Sequence, residues 1–526
     1  MAAPANTADA RSERRRWLVL GVMSVGTLLA FLDDTVVNTA LPRISLSLHA
    51  STSGLQWVVD AYVLVLAGLL LLCGSIGDRY GRKRAMSVGL VAFGAAAIGA
   101  SRSTSIGELI IWRGLQGVGA ALILPATLSI ITNVFPREER TKAIAVWTAI
   151  GGLGVGFGPV VGGYIVDTFG WDAVFLLFVP LAAVALVGML IVPESRDPRG
   201  VGLDVPGAVL GTAGLTALVY GIIRSGEAGW GSGWSLAAFG AAAVLLAAFA
   251  AVEARAPAPM LPLKFFRQRD FSGAVLLIGI ALFALFVTFF SLTQLFQLVQ
   301  HRSALEAGLL IVPTSVALTI SAGLANKLIH TLGPRVLALA MAAGMFAGLA
   351  VLTRTTQSTS TFQIIAALVI IGLGAGLSLP TLTDTVMAAV PLRDAGVGSA
   401  VNDVSRQLGG ALGIAVIGSI VSSAYRSRLH HSLHGKVPSG VVRAASSGIG
   451  VAEQTARTLP PHVATIVTSA ANHAFVHAIT RGFVVSALVI VVAAVVAATM
   501  IPRQMRATQF NEDDDDEAPL PDARAA

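Results

Sequence analysis

Residues 17–42 read WLVLGVMSVGTLLAFLDDTVVNTALP, an apolar stretch that is long enough to cross a bilayer and yet carries Asp33 and Asp34 side by side. A carboxylate near the bilayer centre costs at least about 2.5 kcal/mol, so acidic residues in such segments usually face protein or water. The basic residues just before it resemble the start of a signal peptide, but the length of the apolar run favours an uncleaved first helix. The stretch therefore predicts a membrane helix whose acidic positions are enclosed by other helices.

The composition extends this prediction to the whole chain. The 526 residues are 55% hydrophobic and 12% charged, and the mean hydropathy is +0.76, which is typical of a polytopic membrane protein. The net charge of +7 comes from basic residues in short loops between apolar segments, so we expect a lipid bilayer and no nucleic acid as partner. Cys73 is the only cysteine, which excludes a disulfide framework and a cysteine metal site.

Fourteen apolar segments are long enough to span a membrane. Most of the 36 Lys and Arg residues lie in connections on the same side as the N-terminus, which predicts that both termini are cytoplasmic. The predicted segments are 17–41, 54–76, 85–104, 107–133, 141–166, 171–192, 204–224, 233–253, 271–297, 305–330, 334–353, 361–383, 397–423 and 479–501.

An internal repeat organises these segments. GSIGDRYGRKR at 74–84 and GLANKLIHTLGPR at 323–335 both begin with glycine and close with a glycine followed by a base. The repeat predicts an all-α membrane protein with two six-helix bundles, 17–192 and 254–501, separated by two inserted helices within 193–253. Residues 1–16 form the predicted cytoplasmic start, and the acidic end 502–526 is predicted to be disordered.

The longest connection on the outer side is 424–474. It is predicted to be mainly solvated surface, with an amphipathic helix around VAEQTARTL. Histidines at 430, 431 and 434 have helical spacing, but no carboxylate or cysteine accompanies them, so we predict no metal site.

Four motifs carry a family resemblance over nearly the whole chain. They are LDDTVVNTALP at 32–42, GSIGDRYGRKR at 74–84, LIIWRGLQGVGAA at 109–121 and GVGFGPVVGG at 154–163. The chain resembles the major facilitator superfamily, and within it the fourteen-span drug:proton antiporters that export antiseptics, dyes and antibiotics. The last motif is similar to the antiporter motif, although Ala145 stands where a further glycine is expected upstream. The resemblance implies 14 transmembrane helices in the major facilitator fold, and no cofactor other than the proton as coupling ion.

Two of the motifs have a mechanical interpretation. The cytoplasmic loop, with Gly74, Asp78, Arg79, Gly81, Arg82 and Lys83, can hold neighbouring helices together through Asp78, or its basic residues can simply set the topology. The antiporter motif, with Gly154, Gly158, Pro159, Gly162 and Gly163, predicts a kinked helix that another helix approaches closely. The resemblance implies that this seam favours export, while the residues alone favour a role in packing only.

Acidic and basic groups occur at similar depths in three segments. Asp33, Asp34, Asp60 and Arg113 all lie six to nine residues from the predicted outer ends, or about 9 Å deep or slightly more at 1.5 Å per residue. We predict that Asp34 and Asp60 face a cavity, where they exchange a proton for a cationic substrate. Asp33 is predicted to hold the helix interface near Thr35 and Asn38. The alternative is a buried aspartate–Arg113 pair that only fixes the packing.

Two further groups of candidate residues lie in the second half. Asp384, Asp403 and Arg406 are predicted to form an inner cluster, either as a relay or, more simply, as a structural ion pair at i, i+3 spacing. Phe286, Phe290, Gln294 and Gln297 recur at helical spacing and could present an aromatic face to flat apolar cations, or could serve for packing alone.

These observations predict a proton-driven exporter of hydrophobic, cationic drugs, dyes or antibiotics in a bacterial inner membrane, acting as a monomer by alternating access. There is no phosphate-binding GxxxxGK loop and no other enzyme motif, so an ion gradient must supply the energy. The alternatives are an exporter of a self-made antibiotic or lipid, a nutrient symporter, and a receptor or scaffold that transports nothing.

Overall fold

The computed structural model describes residues 7–196, 203–256, 259, 261, 263–391 and 395–504, and these residues contain helices and no strand. A 3₁₀ turn at Leu263–Arg267 and a π-helical turn at Leu295–Val299 accompany sixteen α-helices in this part of the chain. The helices are α1 (Thr7–Leu48), α2 (Thr52–Tyr80), α3 (Arg82–Ser101), α4 (Ile106–Val134), α5 (Arg137–Phe169), α6 (Asp172–Leu176), α7 (Phe178–Gly188), α8 (Val205–Ala228), α9 (Gly233–Glu253), α10 (Arg269–Gln294), α11 (Ala304–Leu352), α12 (Thr361–Ala388), α13 (Ala395–Leu433), α14 (Ser439–Ala445), α15 (Ile449–Arg457) and α16 (Pro461–Met500).

The helices follow the order of the fourteen predicted segments. Thirteen stretches of the described residues are long and apolar enough to cross a membrane, and Asp172–Gly188 is a shorter apolar stretch at the sixth position. Helix α11 contains two of these spans, Ala304–Ala325 and Lys327–Leu352. We call the end of the molecule at which α1 begins and α16 ends the terminal face, and the opposite end the far face.

The connection 424–474 differs from its prediction. Helix α13 continues to Leu433, α16 begins at Pro461, and α14 and α15 lie between them, with α15 in the place of the predicted amphipathic helix. Leu429, Leu433 and Ala452 are fully buried. The prediction of a mainly solvated surface is therefore wrong, because this region packs onto the second bundle at the far face. The acidic tail lies outside the described residues from position 505 onward.

The described residues contain two large hydrophobic cores and one small cluster around Leu72 and Ala208. One large core is built mainly from residues between Val19 and Ile223, and the other from residues between Phe265 and Ile501. Within the first bundle α1 packs on α5 and α2 on α4, and within the second α10 packs on α13 and α11 on α12. The same pairing therefore occurs twice, in the same order along the chain.

The interfaces between the bundles show the same symmetry. Helix α5 packs against the first span of α11, and α2 packs against α13. Helix α5 of the first bundle corresponds to α13 of the second, and α2 corresponds to the first span of α11. Swapping the two halves therefore turns one interface into the other, as expected for two repeats about a common axis. The inserted helices α8 and α9 pack on each other, and α8 also contacts both α2 and α13.

The two related loops end in the same backbone feature. Gly81 has φ +118° and Gly333 has φ +77°, values that L side chains rarely adopt. Each loop then meets the chain that leaves the last helix of its bundle: Arg82 N–H donates to Ser195 O at 3.0 Å, and Arg335 Nε donates to Ile501 O at 2.7 Å. The weak sequence repeat therefore corresponds to a repeated turn with a repeated contact.

Candidate functional site in the membrane interior

Asp33 and Arg113 form an ion pair in the first bundle. Arg113 Nη1 lies 2.9 and 2.7 Å from the two Asp33 carboxylate oxygens, and the side chains are 0% and 1% exposed. The same guanidinium donates to Val58 O at 2.9 Å and to Gln116 Oε1 at 3.0 Å, and it lies 4.5 Å from the centre of the Tyr62 ring. This network joins α1, α2 and α4, and it satisfies both charges without solvent.

The prediction that Asp33 forms hydrogen bonds with the region of Thr35 and Asn38 is therefore wrong, because its partner is Arg113. Thr35 Oγ1 donates to the backbone oxygens of Leu32 and Gly154, and Asn38 Nδ2 donates to the backbone oxygen of Asp34 at 3.0 Å. Both side chains bond to the main chain because hydroxyls and amides one helical turn away reach a carbonyl more easily than a carboxylate.

Asp34 points to the other bundle. It is partly exposed, unlike Asp33, and its Oδ2 accepts a hydrogen bond from Gln407 Nε2 of α13 at 3.3 Å. Arg406, the preceding residue on α13, is close enough to interact electrostatically with Asp34 and with Asp403. Asp34 Oδ1 is buried and has no hydrogen-bond partner in the described part of the chain. The two adjacent aspartates thus serve different bundles, as a rotation of about 100° per residue requires.

Asp60 is the most isolated of the three carboxylates. It is fully buried on α2, and neither oxygen has a hydrogen-bond partner among the described residues. No ion pair within those residues joins Asp34 or Asp60 to Arg113. Of the three acids, only Asp33 is neutralised by Arg113.

The glycines of the antiporter motif lie at two close contacts of α5, one with α1 of the same bundle and one with α11 of the second bundle. A β-carbon at Gly158 would overlap Thr35 Oγ1, and one at Gly162 would lie 3.0 Å from the Val36 backbone oxygen. On the opposite side of α5, Gly163 meets the start of α11 and Pro159 O meets Gly308. Close helix approach needs small residues at these positions. Gly154 packs in the same way on Leu28 and Leu32, so the contact between α1 and α5, here called the α1–α5 seam, follows the turns around the aspartate pair.

The loop of residues 74–84 holds the terminal face of the first bundle together. Asp78 pairs with Arg82 at 2.7 Å, and Lys83 Nζ donates to Val192 O at 2.9 Å. Arg79 lies 5.6 Å from the centre of the Tyr80 ring, and Gly74 has only ordinary contact distance to Pro125. These contacts link helices within one bundle.

The predicted inner cluster does not form as one unit. Asp384 is exposed on α12, and Asn402, beside Asp403, bonds to Thr383 at 3.1 Å. No ion pair of 4.0 Å or less connects Asp403 with Arg406 in the residues that the structure describes, so the predicted structural ion pair is wrong. Arg406 interacts electrostatically with both Asp403 and Asp34.

The predicted substrate face on α10 is mostly used for packing. Phe290 is 3% exposed and belongs to the hydrophobic core of the first bundle, and Phe286 packs against Gly410 of α13. Gln294 donates to the Phe290 backbone oxygen, and Gln297 donates to Thr39 O of α1 at 2.9 Å. Gln297 therefore joins the bundles and does not line an open surface.

Hydrogen bonds between the bundles lie from mid-depth to the far face. Besides the Gln407–Asp34 and Gln297–Thr39 bonds, Gln56 Nε2 donates to Ile414 O at 2.8 Å. At the far face Asp167 accepts from the backbone N–H groups of Ala304 and Leu305 at 3.0 and 2.8 Å. No side-chain hydrogen bond among the described residues joins the bundles nearer the terminal face, so the molecule is closed on the far face.

A separate apolar cleft lies outside this region. It has a volume of about 730 Å³ and is lined by α2 and the inserted helices, including Trp57, Thr212, Tyr220 and Trp234. None of the membrane aspartates lines it. The cleft lies beside the inserted helices and is not a part of the charged centre.

Three glutamines in this centre were not singled out from the sequence. Gln56, Gln116 and Gln407 are at most 8% exposed. Gln56 and Gln407 bond across helices, and Gln116 accepts from Arg113 within α4. The available signal was a lone amide side chain within an apolar span. Such residues usually hydrogen-bond to another helix, because an unsatisfied amide in hydrocarbon is costly.

Comparison with known proteins agrees with this architecture. The sequence model of the Major Facilitator Superfamily matches residues 23–414. The chain is 35% identical to puromycin resistance protein pur8 of Streptomyces alboniger over 83% of this chain and 88% of that protein. It is 33% identical to multidrug efflux pump LfrA of Mycolicibacterium smegmatis over 94% of this chain and 98% of that pump. A crystal structure of a bacterial homologue of the human lysosomal transporter Spinster, inward-facing and unoccupied, superposes with a TM-score of 0.61 at 16% identity, covering 94% of this chain and 99% of that one.

Proposed function

The chain belongs to the Major Facilitator Superfamily, and from that premise we propose that it exports hydrophobic, cationic compounds in exchange for protons. It is a multi-pass membrane transporter and not an enzyme. The relatives named above are a resistance protein and a multidrug efflux pump, and the second is similar over almost the whole chain. This similarity supports efflux of small molecules as the direction and substrate class.

The observation that carries the coupling proposal is the difference between the three membrane aspartates. Asp33 is held by Arg113, whereas Asp34 has only an amide partner and Asp60 has none among the described residues. A carboxyl group without a fixed cation can bind a proton in one state and a cationic substrate in another. Asp34 and Asp60 are therefore the proposed exchange sites, and Asp33–Arg113 is the fixed support behind them.

The contact of Asp34 with α13 supplies the link to conformational change. Gln407 and Arg406 belong to the second bundle, so a change in the charge of Asp34 changes an interaction between the bundles. A ligand shifts a two-state equilibrium only when it interacts differently with the two states. Protonation of Asp34 or binding of a cation to it provides this difference where α1 meets α13.

We place the terminal face in the cytoplasm of a bacterial inner membrane, since basic residues are concentrated in the connections on that side. With that orientation, closure of the far face corresponds to an inward-facing state, which is also the state of the Spinster homologue. Substrate would enter from the cytoplasmic side, and protons would arrive after the far face opens. One proton that crosses 100 mV supplies about 2.3 kcal/mol, to which its concentration gradient adds.

The test uses everted vesicles with ethidium as substrate and an acridine dye as a reporter of the pH gradient. We expect Asp34→Asn and Asp60→Asn each to abolish ethidium-dependent proton movement, since an amide cannot exchange a proton. Glu453→Gln, a change of a carboxylate that pairs with Arg457 in α15, is the matched control and should retain activity. Full coupled transport in both aspartate variants would refute the assignment.

A further inference from the structure

We propose that protons reach Asp60 from the far face by a route that begins at Glu227 of the inserted helix α8 and follows Ser53 and Gln56 along α2. The inference rests on the proposed proton coupling and assigns a role to an inserted helix. It makes Glu227 the external proton acceptor of the transporter.

Glu227 lies where such a route would have to begin. Its side chain is 29% exposed at the far end of α8, and Ser53 Oγ donates to Glu227 Oε1. Its other oxygen accepts from Arg224 Nη1 at 2.7 Å, and Arg426 of α13 donates to the Glu227 backbone oxygen. The carboxylate therefore meets solvent on one side and α2 on the other.

The next groups lie on one face of α2. Ser53, Gln56 and Asp60 are separated by three and four residues, the spacing that places side chains above one another on a helix. The distance along the axis from Ser53 to Asp60 is about 10 Å at 1.5 Å per residue. All three are at most 8% exposed, so this row of polar groups runs from the edge of the molecule into its interior.

The unpaired acceptors in this row of polar groups need a donor such as water between them. Gln56 Nε2 is engaged by the Ile414 and Ala415 backbone oxygens, which leaves Gln56 Oε1 as a buried acceptor without a partner among the described residues. Both carboxylate oxygens of Asp60 are also buried and have no hydrogen-bond partner among the described residues. Two acceptors cannot bond directly, but one water molecule can donate to both, and buried polar groups are commonly satisfied in this way. Water and the Ser53 hydroxyl can each accept one proton and release another, so they can carry a proton along this row while Gln56 Oε1 orients the water.

The contacts that hold helix α8 in place allow a purely mechanical role of Glu227 to be distinguished from proton uptake. Helix α8 is also held by the Arg426 bond to the Glu227 main chain and by the close contact of Gly226 with Ser419. These contacts do not involve the carboxylate and persist in Glu227→Gln. The glutamine keeps the size of the side chain and can still accept from Ser53, but it cannot take up a proton.

The experiment compares two rates in proteoliposomes that contain the full-length chain and an internal pH-sensitive dye. The first rate is proton flux coupled to ethidium, and the second is ethidium–ethidium exchange at equal pH on both sides, which needs no net proton delivery. We expect Glu227→Gln and Ser53→Ala to lower coupled flux about tenfold, within the range for a positioned proton-transfer group, and to leave exchange unchanged. Glu453→Gln should lower neither rate.

A further readout separates delivery from structure. Acidifying the external solution, or adding a small membrane-excluded buffer there, should restore coupled flux in Glu227→Gln because both raise the supply of protons. Equal loss of both rates, a deficit that external acid does not reduce, or unchanged coupled flux in Glu227→Gln would overturn the route. Absence of coupled flux in the unmodified protein would instead overturn the proposed function itself.

Discussion

Asp33 and Arg113 form the most enclosed ion pair among the described residues, with a closest N–O distance of 2.7 Å and side chains exposed by at most 1%. The pair joins α1 to α4, and its guanidinium also bonds to α2. Its position next to Asp34 has a consequence for mechanism. The charge of Asp33 is balanced locally, so Asp34 is the member of the adjacent pair that is free to interact with the second bundle.

Removal of one partner of this pair should destabilise the first bundle. We expect Asp33→Ala and Arg113→Ala each to cost about 3–5 kcal/mol, since each leaves an uncompensated buried charge. The double variant Asp33→Leu/Arg113→Met, which removes both charges and keeps volume, should recover most of the loss. Thermal unfolding of the detergent-solubilised protein measures the effect, and single variants as stable as the parent would contradict it.

Close packing of α5 on α1 should depend on Gly158 and not on Gly152, which lies six residues earlier on α5. A β-carbon at Gly158 would overlap the Thr35 hydroxyl, whereas one at Gly152 meets no atom within 4 Å. We expect Gly158→Ala to cost about 1–3 kcal/mol through overpacking and to reduce efflux, and Gly152→Ala to do neither. Thermal unfolding and ethidium efflux check this pair, and equal behaviour of the two variants would argue against a close seam.

The turn at Gly81 should not tolerate a side chain. Its φ of +118° is unfavourable for alanine, and a β-carbon there would also lie 2.7 Å from Glu194 Oε1. We expect Gly81→Ala to lower stability by about 1–3 kcal/mol. Gly107→Ala is the control, because that glycine is helical with no atom within 4 Å of its β-carbon position. A stability loss in Gly107→Ala as large as in Gly81→Ala, measured by thermal unfolding, would count against backbone strain as the cause.

A disulfide across the far face should stop transport. Thr52 N–H donates to Ser447 O at 3.1 Å, so the two residues lie within the reach of a disulfide. In a background with Cys73→Ala, we expect Thr52→Cys/Ser447→Cys to lose ethidium efflux under an oxidant and to regain it under a reductant. Each single cysteine variant is the control, and unimpaired efflux in the fully cross-linked protein would show that the far face need not open here.

Several features of the site could be predicted from local sequence. The carboxylates at 33, 34 and 60 and the base at 113 are conspicuous in apolar spans because charge there requires a partner or water. The assignment of partners could not follow from spacing. Asp33 and Arg113 are 80 residues apart, and a helix of uncertain register can present either aspartate to a given neighbour.

The sequence by itself determined the membrane class, the order of the spans, the two-bundle repeat and the family, because apolar length and loop motifs are local properties of a chain. Only the tertiary structure decided that Asp33 is held by arginine, that Asp34 faces Gln407, that Asp60 stands apart and that α13 extends to the far face. These outcomes depend on the rotation and depth of each helix, which packing against other helices sets and hydropathy does not encode.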